Sequence, residues 1–387
     1  MHPSPPLNTM IAELIGLPSI SSADPALDQS NLGVVHRLAE WAESMGFEVS
    51  IDPISEGKAN LIAILNPSED VFHPGGLVLS GHTDTVPCDP DLWQQDPFKA
   101  KERDGKLFGL GSCDMKSFLA LALEAAKGLD RKKLTAPLVL IGTADEESSM
   151  SGARQLLAQN RRLGRSALIG EPTGLKPIRM HKGMMMEAIR IHGRSGHSSD
   201  PRLGVNALDG MSRVLSALIA FRDELAAQHR NPAFEVETPT LNLGAIRGGD
   251  NPNRICGHCE TLIDLRPLPG MDIDLLHQRL TQRLEETLEA IPGLTLEVVR
   301  LFPGLPAFET PKDSPLVRAC EDLSGHPAGA VAFGTEGPFF HDLGHDTLIL
   351  GPGHIAQAHQ PDEFLPLEQV PPMLAILEGL IQRHCLK

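Results

Sequence analysis

The chain has 387 residues, more than one hydrophobic core usually supports, so its length predicts two domains. Its 41% hydrophobic residues and mean hydropathy of −0.10 are typical of a soluble globular protein. Acidic side chains outnumber basic ones by 50 to 34, and the formal charge of −16 argues against nucleic acids and anionic membranes as partners.

The amino-terminal segment and the cysteine content together predict a cytoplasmic location. The first twenty residues contain no Lys or Arg and no long apolar core, so they do not resemble a secretory signal. No apolar run approaches the roughly 20 residues that span a bilayer. Six scattered cysteines without a secretion signal are typical of reduced thiols in the cytoplasm.

The apolar pattern of the first and last parts of the chain predicts strands that alternate with helices. Helices are expected over 31–45, 115–127 and 148–159, and strands over 47–51, 61–65, 77–80, 138–144, 167–169 and 348–350. Several of these strands are continuously apolar, as strands covered on both faces must be. The predicted fold class is therefore α/β, with a mostly parallel central sheet and helices on both faces.

The middle of the chain predicts a second domain of a different class. Strands are expected over 187–192, 240–246, 254–265 and 294–302, and helices over 205–221 and 276–291. The resulting β-α-β-β-α-β order is that of a ferredoxin-like α+β sandwich. We expect this domain at 181–301, inserted between a first part of the α/β domain at 1–180 and a second part at 302–387.

Two cysteines of the inserted segment, Cys256 and Cys259, have the spacing of half a zinc ribbon or of a redox pair. A structural zinc site needs a second pair at similar spacing, and the sequence contains none. The favoured interpretation is that both are small apolar residues of a strand, and the metal or redox interpretation stays open.

Polar side chains follow four of the predicted strands of the α/β domain. They are His82 and Asp84 after 77–80, Glu146 and Glu147 after 138–144, Glu171 after 167–169, and His359 after 348–350. Each has an ordinary alternative explanation, such as a solvated acidic turn or a surface histidine. Open α/β sheets place their sites at the ends of strands, and imidazole and carboxylate ligands suit zinc. The combination therefore favours a metal site.

Asp114 lies between a glycine-rich segment and the helix predicted over 115–127. Taken alone, this position is typical of a helix N-cap. Gly109 and Gly111 also permit a sharp backbone that would direct the carboxylate away from the helix, as a carboxylate shared by two metals requires. Both interpretations stay open at this point.

The order of these motifs resembles the zinc-dependent aminoacylase and carboxypeptidase family of metallopeptidases, over nearly the whole chain. The resemblance rests on His82–Pro87, Gly111–Lys116, Asp145–Glu147, Gly170–Thr173 and His359. It implies an amidohydrolase with two zinc ions per subunit, which cobalt can replace. It also implies a homodimer formed through the inserted domain, which would act as a lid.

Site residues follow from the resemblance by position in the motifs. His82, Asp114 and Glu171 would hold one zinc, and Asp114 would bridge to a second zinc held by Glu147 and His359. Glu146 would be the general base towards a zinc-bridging hydroxide, and Asp84 would orient His82. The resemblance also implies a cis peptide bond between Asp114 and Met115.

The expected substrate is a small N-acyl amino acid. Within the family, the chain resembles most the branch that converts N-acetyl-L-ornithine to L-ornithine and acetate in arginine synthesis. The segments that carry this resemblance include Ala26–Asn31, Arg194–Pro201 and Ala358–Glu363. His197 would stabilise the tetrahedral oxyanion. Asn253 and Arg254 would hold the α-carboxylate, and Glu336 would select the cationic side chain.

Several alternatives remain at this level. N-acetyl-L-citrulline, N-succinyl-diaminopimelate, N-acetylmethionine or a dipeptide could be the substrate, and the chain could be a metal-binding regulator without activity. His197 could be a solvated loop residue, Arg254 could form a salt bridge within the inserted domain, and Glu336 could only support its loop.

Overall fold

The computed structural model describes residues 5–67 and 75–386, which form two compact units. The first unit comprises the described residues up to Arg179, Thr310–Gly329, and those from Thr335 onwards. The second comprises Met180–Glu309 and Ala330–Gly334. The lid and dimerisation roles expected of the inserted segment stay predictions.

The first unit is built on a sheet with the strand order β1-β2-β6-β3-β7-β15-β8. The four strands β6, β3, β7 and β15 are parallel, while β1, β2 and β8 pair antiparallel with their neighbours. Their bounds are β1 Glu48–Ser55, β2 Lys58–Leu65, β3 Leu77–His82, β6 Leu138–Thr143, β7 Ser166–Ile169, β8 Ile178–His181 and β15 Asp346–Ile349. The parallel strands are fully buried except at Asp346, as strands covered on both faces must be.

Helices complete this α/β unit, and the predicted fold class is confirmed. Their bounds are α1 Leu7–Ile15, α2 Leu32–Ser44, α3 Lys116–Ala126, α4 Ser151–Ala158, α7 Pro315–Ser324, α8 Gly337–Asp342 and α9 Val370–Cys385. Leu77 and Leu79 of β3 belong to the main core, formed with α1, α2, α3, α7 and α9, and Val78 between them is equally buried on the opposite face. Helix α3 is buried at every position but Glu124, which places the segment behind Asp114 at the centre of the unit.

A small antiparallel sheet lies beside the Asp114 loop and has the order β16-β5-β4. Its strands are β4 Lys101–Arg103, β5 Lys106–Phe108 and β16 Phe364–Pro366. The pairing of β16 with β5 joins the segment after His359 to the segment that precedes Asp114.

The second unit contains a four-stranded antiparallel sheet with the order β10-β11-β9-β12. Its main elements are β9 Met185–His192, α5 Ala207–Gln228, β10 Thr240–Gly248, β11 His258–Arg266, α6 Ile273–Leu288 and β12 Thr295–Arg300. Two further short strands lie outside this sheet: β13 Phe308–Glu309, which pairs with Met180 and His181, and β14 Gly329–Val331. The six main elements follow the β-α-β-β-α-β order predicted from the sequence. Its core includes the leucines at 276, 280, 284 and 288, whose spacing puts them on one face of α6.

Three helices begin or end three or more residues away from the predicted positions: α4, α5 and α6, of which α6 spans Ile273–Leu288 rather than 276–291. Helix α4 begins at Ser151 rather than 148, because Asp145 and Met150 adopt left-handed backbone conformations with φ of 57° and 54°. Helix α5 continues to Gln228 because Leu225 extends its buried stripe. Among the described residues there is no helix whose length and hydropathy would let it cross a lipid bilayer.

Candidate metal centre

Four neighbouring parallel strands deliver most of the candidate site. His82 is the last residue of β3, and Glu146 and Glu147 follow β6 after two intervening residues. Glu171 follows β7, and His359 follows β15 after a short 3₁₀ turn at Ile355–Gln357. Because the carboxyl ends of adjacent parallel strands share one edge of the sheet, residues distant in sequence converge there.

Asp114 reaches the same place from the loop ahead of α3. Gly109 and Gly111 in this loop have φ of 152° and 77°, in the region that favours glycine. A Cβ at Gly111 would lie 2.9 Å from Thr85 Cγ2. The N-cap position of α3 belongs to Met115, and the Asp114–Met115 peptide is cis, as the resemblance implies. The N-cap interpretation of Asp114 is therefore wrong, and its carboxylate points towards the histidines.

The Asp114 carboxylate lies between the two histidines. Its Oδ1 is 3.0 Å from His82 Nε2 and its Oδ2 is 3.5 Å from His359 Nε2. His359 Nε2 is also 3.0 Å from Glu147 Oε2. Two groups of potential ligand atoms have all members within 4.8 Å of one another: His82, Asp114 and Glu147, and His82, Glu146 and Glu171.

The carboxyl groups of the cluster have perturbed acidities. Burial raises the pKa of Glu146 and Glu171 well above the ordinary value, reinforced by repulsion from the other carboxylates. Burial and the Asp114 charge also raise the pKa of Glu147. The cluster therefore holds more acid than it can ionise without added positive charge.

The same carboxylates raise the pKa values of the two histidines. Burial opposes the charged form of His82, but its hydrogen bond to Asp114 and the nearby carboxylates raise its pKa well above the ordinary value. Hydrogen bonds to Asp114 and Glu147 raise the pKa of His359 to about 10. Asp114 itself is held below its usual pKa range by these two histidines, although burial acts in the other direction.

This donor set fits divalent metal ions. His82 Nδ1 lies 3.0 Å from the backbone carbonyl of Asp84, which can only accept, so Nδ1 carries a proton. Nε2, which faces Asp114 Oδ1 at 3.0 Å, is the atom that would bind a metal. Imidazole and carboxylate ligands suit zinc, and bound cations would supply the charge that the acids lack.

Asp84 contacts His82 through its backbone carbonyl, not through the carboxylate that the spacing predicted. Its backbone carbonyl orients the imidazole, while its carboxylate Oδ1 is 3.8 Å from His82 Nδ1. The carboxylate accepts hydrogen bonds from the backbone N–H groups of Glu146 and Glu147, at 3.3 and 3.1 Å. It is fully buried, so these bonds fix the turn that carries both glutamates.

Glu336, predicted to select the substrate side chain, is the residue before α8 and is 1% exposed. Its Oε2 accepts a hydrogen bond from Thr143 Oγ1 at 2.9 Å, at the end of β6. Its Oε1 is buried and has no hydrogen-bond partner among the described residues. Burial raises the pKa of Glu336 to about 7, against the opposing effects of His82 and Thr143.

The second unit brings together the three residues expected to contact substrate from the inserted domain. His197 and Arg254 form an isolated antiparallel bridge, and Ser198 N donates to Asn253 O at 3.0 Å. The imidazole of His197 is exposed, and its Nδ1 accepts a hydrogen bond from Ser199 N at 3.2 Å. The neutral ring therefore presents Nε2–H as a donor.

Arg254 lines an open cleft of about 490 Å³ within the second unit, together with Arg247, His258 and Asp250. Its guanidinium pairs with both carboxylate oxygens of Asp250, and the Nε–Oδ1 distance is 3.1 Å. The salt bridge considered as the alternative for Arg254 is thus present. Both partners are more than half exposed, so the pair can exchange with a ligand at little cost.

Cys256 and Cys259 are buried thiols with 5% and 0% exposure, and Cys259 lies on β11. Cys256 Sγ lies 3.0 Å from the backbone carbonyl of His258, to which it can donate. Their burial is what small apolar residues at the start of a strand would show.

Two buried polar residues near the site were not identified from the sequence. Lys58 Nζ lies 2.7 Å from Oδ1 of Asp145, which is the residue before Glu146. It also lies 2.8 Å from Asp28 Oδ1. Glu363 accepts hydrogen bonds from the backbone of the Asp114 loop. Asp28 and Glu363 lie in segments that support the resemblance, but spacing alone does not show which residues they contact.

Comparison with known proteins decides the family. Peptidase family M20/M25/M40 matches residues 78–383. The chain belongs to this family. It is 46% identical over 384 residues to the acetylornithine deacetylase of Photorhabdus laumondii, covering 99% of this chain and 98% of the relative. The family assignment confirms the predicted enzyme class, a hydrolase of the metallopeptidase type.

Solved structures with the same fold include two bacterial peptidases. The aminopeptidase PepT of Bacillus cereus is 20% identical with a TM-score of 0.75, and the match covers 97% of each chain. The YXEP protein of Bacillus subtilis, described as a dinuclear metal-binding peptidase, is 16% identical with a TM-score of 0.67 and 98% coverage of each chain. Both are similar to this chain over both of its units.

Proposed function

We propose that this member of the family hydrolyses N-acetyl-L-ornithine to L-ornithine and acetate, as a step of arginine synthesis. The observation that carries the proposal is the cluster of carboxylates and imidazoles at the ends of β3, β6, β7 and β15, with Glu146 beside it. The name of the Photorhabdus relative supports this substrate because the similarity extends over nearly both whole chains.

Two zinc ions, or cobalt in their place, are proposed as the cofactors. His82, Asp114 and Glu171 would hold one, and Glu147 and His359 would hold the other, with Asp114 shared. The position of Asp114 between the two imidazoles supports the shared role. When bound, such ions polarise a carbonyl and lower the pKa of water towards ~7. The name of the Bacillus subtilis structure supports a count of two.

Glu146 is proposed as the general base and acid. It would take a proton from the attacking water as the new C–O bond forms at the acetyl carbonyl. It would then give that proton to the α-nitrogen as the C–N bond breaks, releasing acetate and the free amine. The position of Glu146 supports this role, since its carboxylate lies within 4.8 Å of ligand atoms of His82 and Glu171.

His197, Asn253 and Arg254 are proposed to act on the substrate. The Nε2–H of His197 would donate to the carbonyl oxygen as it becomes negative. Arg254 would exchange Asp250 for the α-carboxylate of the substrate, with Asn253 beside it. The planar guanidinium already holds a carboxylate by two bonds, the geometry that this role requires.

Glu336 is proposed to select the ammonium of the ornithine side chain. Its buried, unpaired Oε1 and its raised pKa describe a carboxylate that lacks a cation. An ammonium group would supply one, whereas the neutral urea of N-acetyl-L-citrulline would not. N-acetyl-L-citrulline and N-succinyl-diaminopimelate are the competing substrates. A regulator without activity is disfavoured because Glu146 is retained.

The experiment that tests this function is a turnover panel on zinc-loaded and chelator-stripped protein. It compares N-acetyl-L-ornithine, N-acetyl-L-citrulline, N-acetyl-L-methionine and N-succinyl-diaminopimelate. We expect metal-dependent hydrolysis with N-acetyl-L-ornithine as the best substrate. Another best substrate would refute the proposed specificity, and no hydrolysis by protein with two zinc ions bound would refute the enzyme assignment.

We further propose that the chain works in the cytoplasm as a homodimer formed through residues 181–301. The formal charge of −16 supports the expectation that it binds neither nucleic acid nor anionic membranes. Light scattering on the purified protein tests the dimer, and a monomer at working concentration would contradict it.

A further inference from the structure

Glu363 is a buried carboxylate that plays no part in the proposed chemistry. It is 2% exposed and lies directly before β16. Its Oε2 accepts a hydrogen bond from Gly111 N at 3.0 Å. Its Oε1 accepts two more, from Cys113 N at 2.7 Å and Asp114 N at 2.9 Å. One side chain therefore accepts hydrogen bonds from three N–H groups of a single loop.

These N–H groups depend on Glu363 for a partner. The segment between β5 and α3 belongs to no strand or helix, so strand pairing does not satisfy its backbone. Buried N–H groups are almost always paired, and successive ones that converge on a point form a binding site for an anion. In this protein the acceptor is a side chain of the chain itself. Burial raises the pKa of Glu363 to about 8, and the three N–H groups oppose that effect.

The same residue is part of the segment that carries His359. The backbone carbonyl of Glu363 accepts from Gly109 N at 3.1 Å, and β16 continues the connection by pairing with β5. In the same two segments, His359 Nε2 lies 3.5 Å from Asp114 Oδ2. The Glu363 contacts thus set the position of the Asp114 loop relative to the His359 loop.

We propose that Glu363 is a positioning residue for the metal centre, which clamps the Asp114 loop onto the His359 loop so that both side chains face the same ion. The inference rests on the metal centre proposed above, but not on the identity of the substrate. The hydrogen bonds that the Glu363 side chain accepts within the described part of the chain come from backbone N–H groups of the loop, so its effect reaches the metal through the placement of Asp114.

The test replaces Glu363 by glutamine in the full-length chain. Glutamine has nearly the same shape, but its NH₂ group would face one or more of the three backbone donors and cannot accept from them. Glu368→Gln is the matched control, since Glu368 is an exposed glutamate of the same segment. Glu363→Asp is a second variant that keeps the charge but shortens the side chain.

The readouts are zinc affinity by competition with a chelator and the visible absorption spectrum of the cobalt-loaded protein, both without substrate. We expect Glu363→Gln to bind zinc about 10–100-fold more weakly, the usual effect of losing a group that supports a metal ligand, and to show an altered cobalt spectrum. Glu363→Asp should fall between it and the control, and metal-free circular dichroism should be unchanged in all three.

Unchanged zinc affinity and cobalt spectrum in folded Glu363→Gln would overturn the proposal. Failure of both Glu363 variants to fold without metal would overturn it as well, because it would assign Glu363 to the stability of the unit. Neither result depends on which acyl amino acid is hydrolysed. A wrong substrate assignment would appear only in the turnover panel.

Discussion

The ion pair between Lys58 and Asp145 gives a quantitative test of how the acidic turn is held. The Lys58 side chain is 5% exposed, and its Nζ lies 2.8 Å from Asp28 and 2.7 Å from Asp145. Lys58→Met keeps much of the volume and removes the charge. Asp28 is 33% exposed and can be hydrated again. Asp145 is 13% exposed, and among the described residues it keeps the hydroxyl donors of Ser21 and Ser151.

Removing one partner of a buried pair costs about 3–5 kcal/mol. Because Asp28 is partly solvated and two hydroxyl groups still donate to Asp145, we expect the lower end, about 3 kcal/mol. For a unit of roughly 250 residues this corresponds to a fall in melting temperature of roughly 6 °C. Differential scanning calorimetry on metal-free protein measures the shift, with Lys176→Met as the control at an exposed lysine.

The double variant Lys58→Met, Asp145→Asn sharpens this test. Asparagine needs no cation, so the double variant should regain part of the lost stability relative to Lys58→Met alone. A shift for Lys58→Met within about 1 °C of the control, far below the value expected from the pair, would refute the reasoning. The reasoning would also be refuted if the melting temperature of the double variant fell by the full sum of the falls measured for Lys58→Met and for Asp145→Asn.

Three further predictions concern single side chains. Burial lowers the pKa of His345 to about 4, so between about pH 6.5 and 4 the unfolded chain binds more protons than the folded one, and the free energy of unfolding falls as the pH falls. His345→Gln should remove roughly 2–3 kcal/mol of this loss, with His326→Gln at an exposed histidine as the control. Equal pH profiles of unfolding for the two variants would contradict the prediction. Glu336→Gln should lower the preference for N-acetyl-L-ornithine over N-acetyl-L-citrulline, measured as the ratio of kcat/KM values, by about 10–100-fold, and an unchanged ratio would remove Glu336 from substrate selection. Asp84→Asn should lower kcat by roughly 10–100-fold because the Glu146 turn loses an acceptor, and a variant with normal turnover would show that this support is dispensable.

The fold was predictable where apolar periodicity is strong. The parallel strands are short apolar runs, and α6 repeats leucine every four residues, so the pattern alone identified them. The sheet formed by β4, β5 and β16 was missed because strands of three residues show no period. Helix α9 was missed because Pro371 and Pro372 are typical of a break, whereas here they lie in its first turn.

The candidate site was predictable to a similar extent, for a related reason. Apart from Asp114, its metal-binding candidates follow the ends of strands, so the order of motifs along the chain predicted that they would lie near one another. Glu363 and Lys58 could not be found in this way. Glu363 contacts a loop about 250 positions earlier, and Lys58 contacts Asp145 across 87 positions, so their roles exist only after folding.

The measurement that tests the central claim most directly is the turnover of Glu146→Gln with its metal content determined on the same sample. Glutamine cannot accept a proton from water, but it leaves the proposed metal ligands in place. We predict two zinc ions per chain, KM close to that of the unaltered enzyme, and kcat lower by about 10²–10⁴-fold. A variant that holds both ions and turns over N-acetyl-L-ornithine at the normal rate would contradict the account.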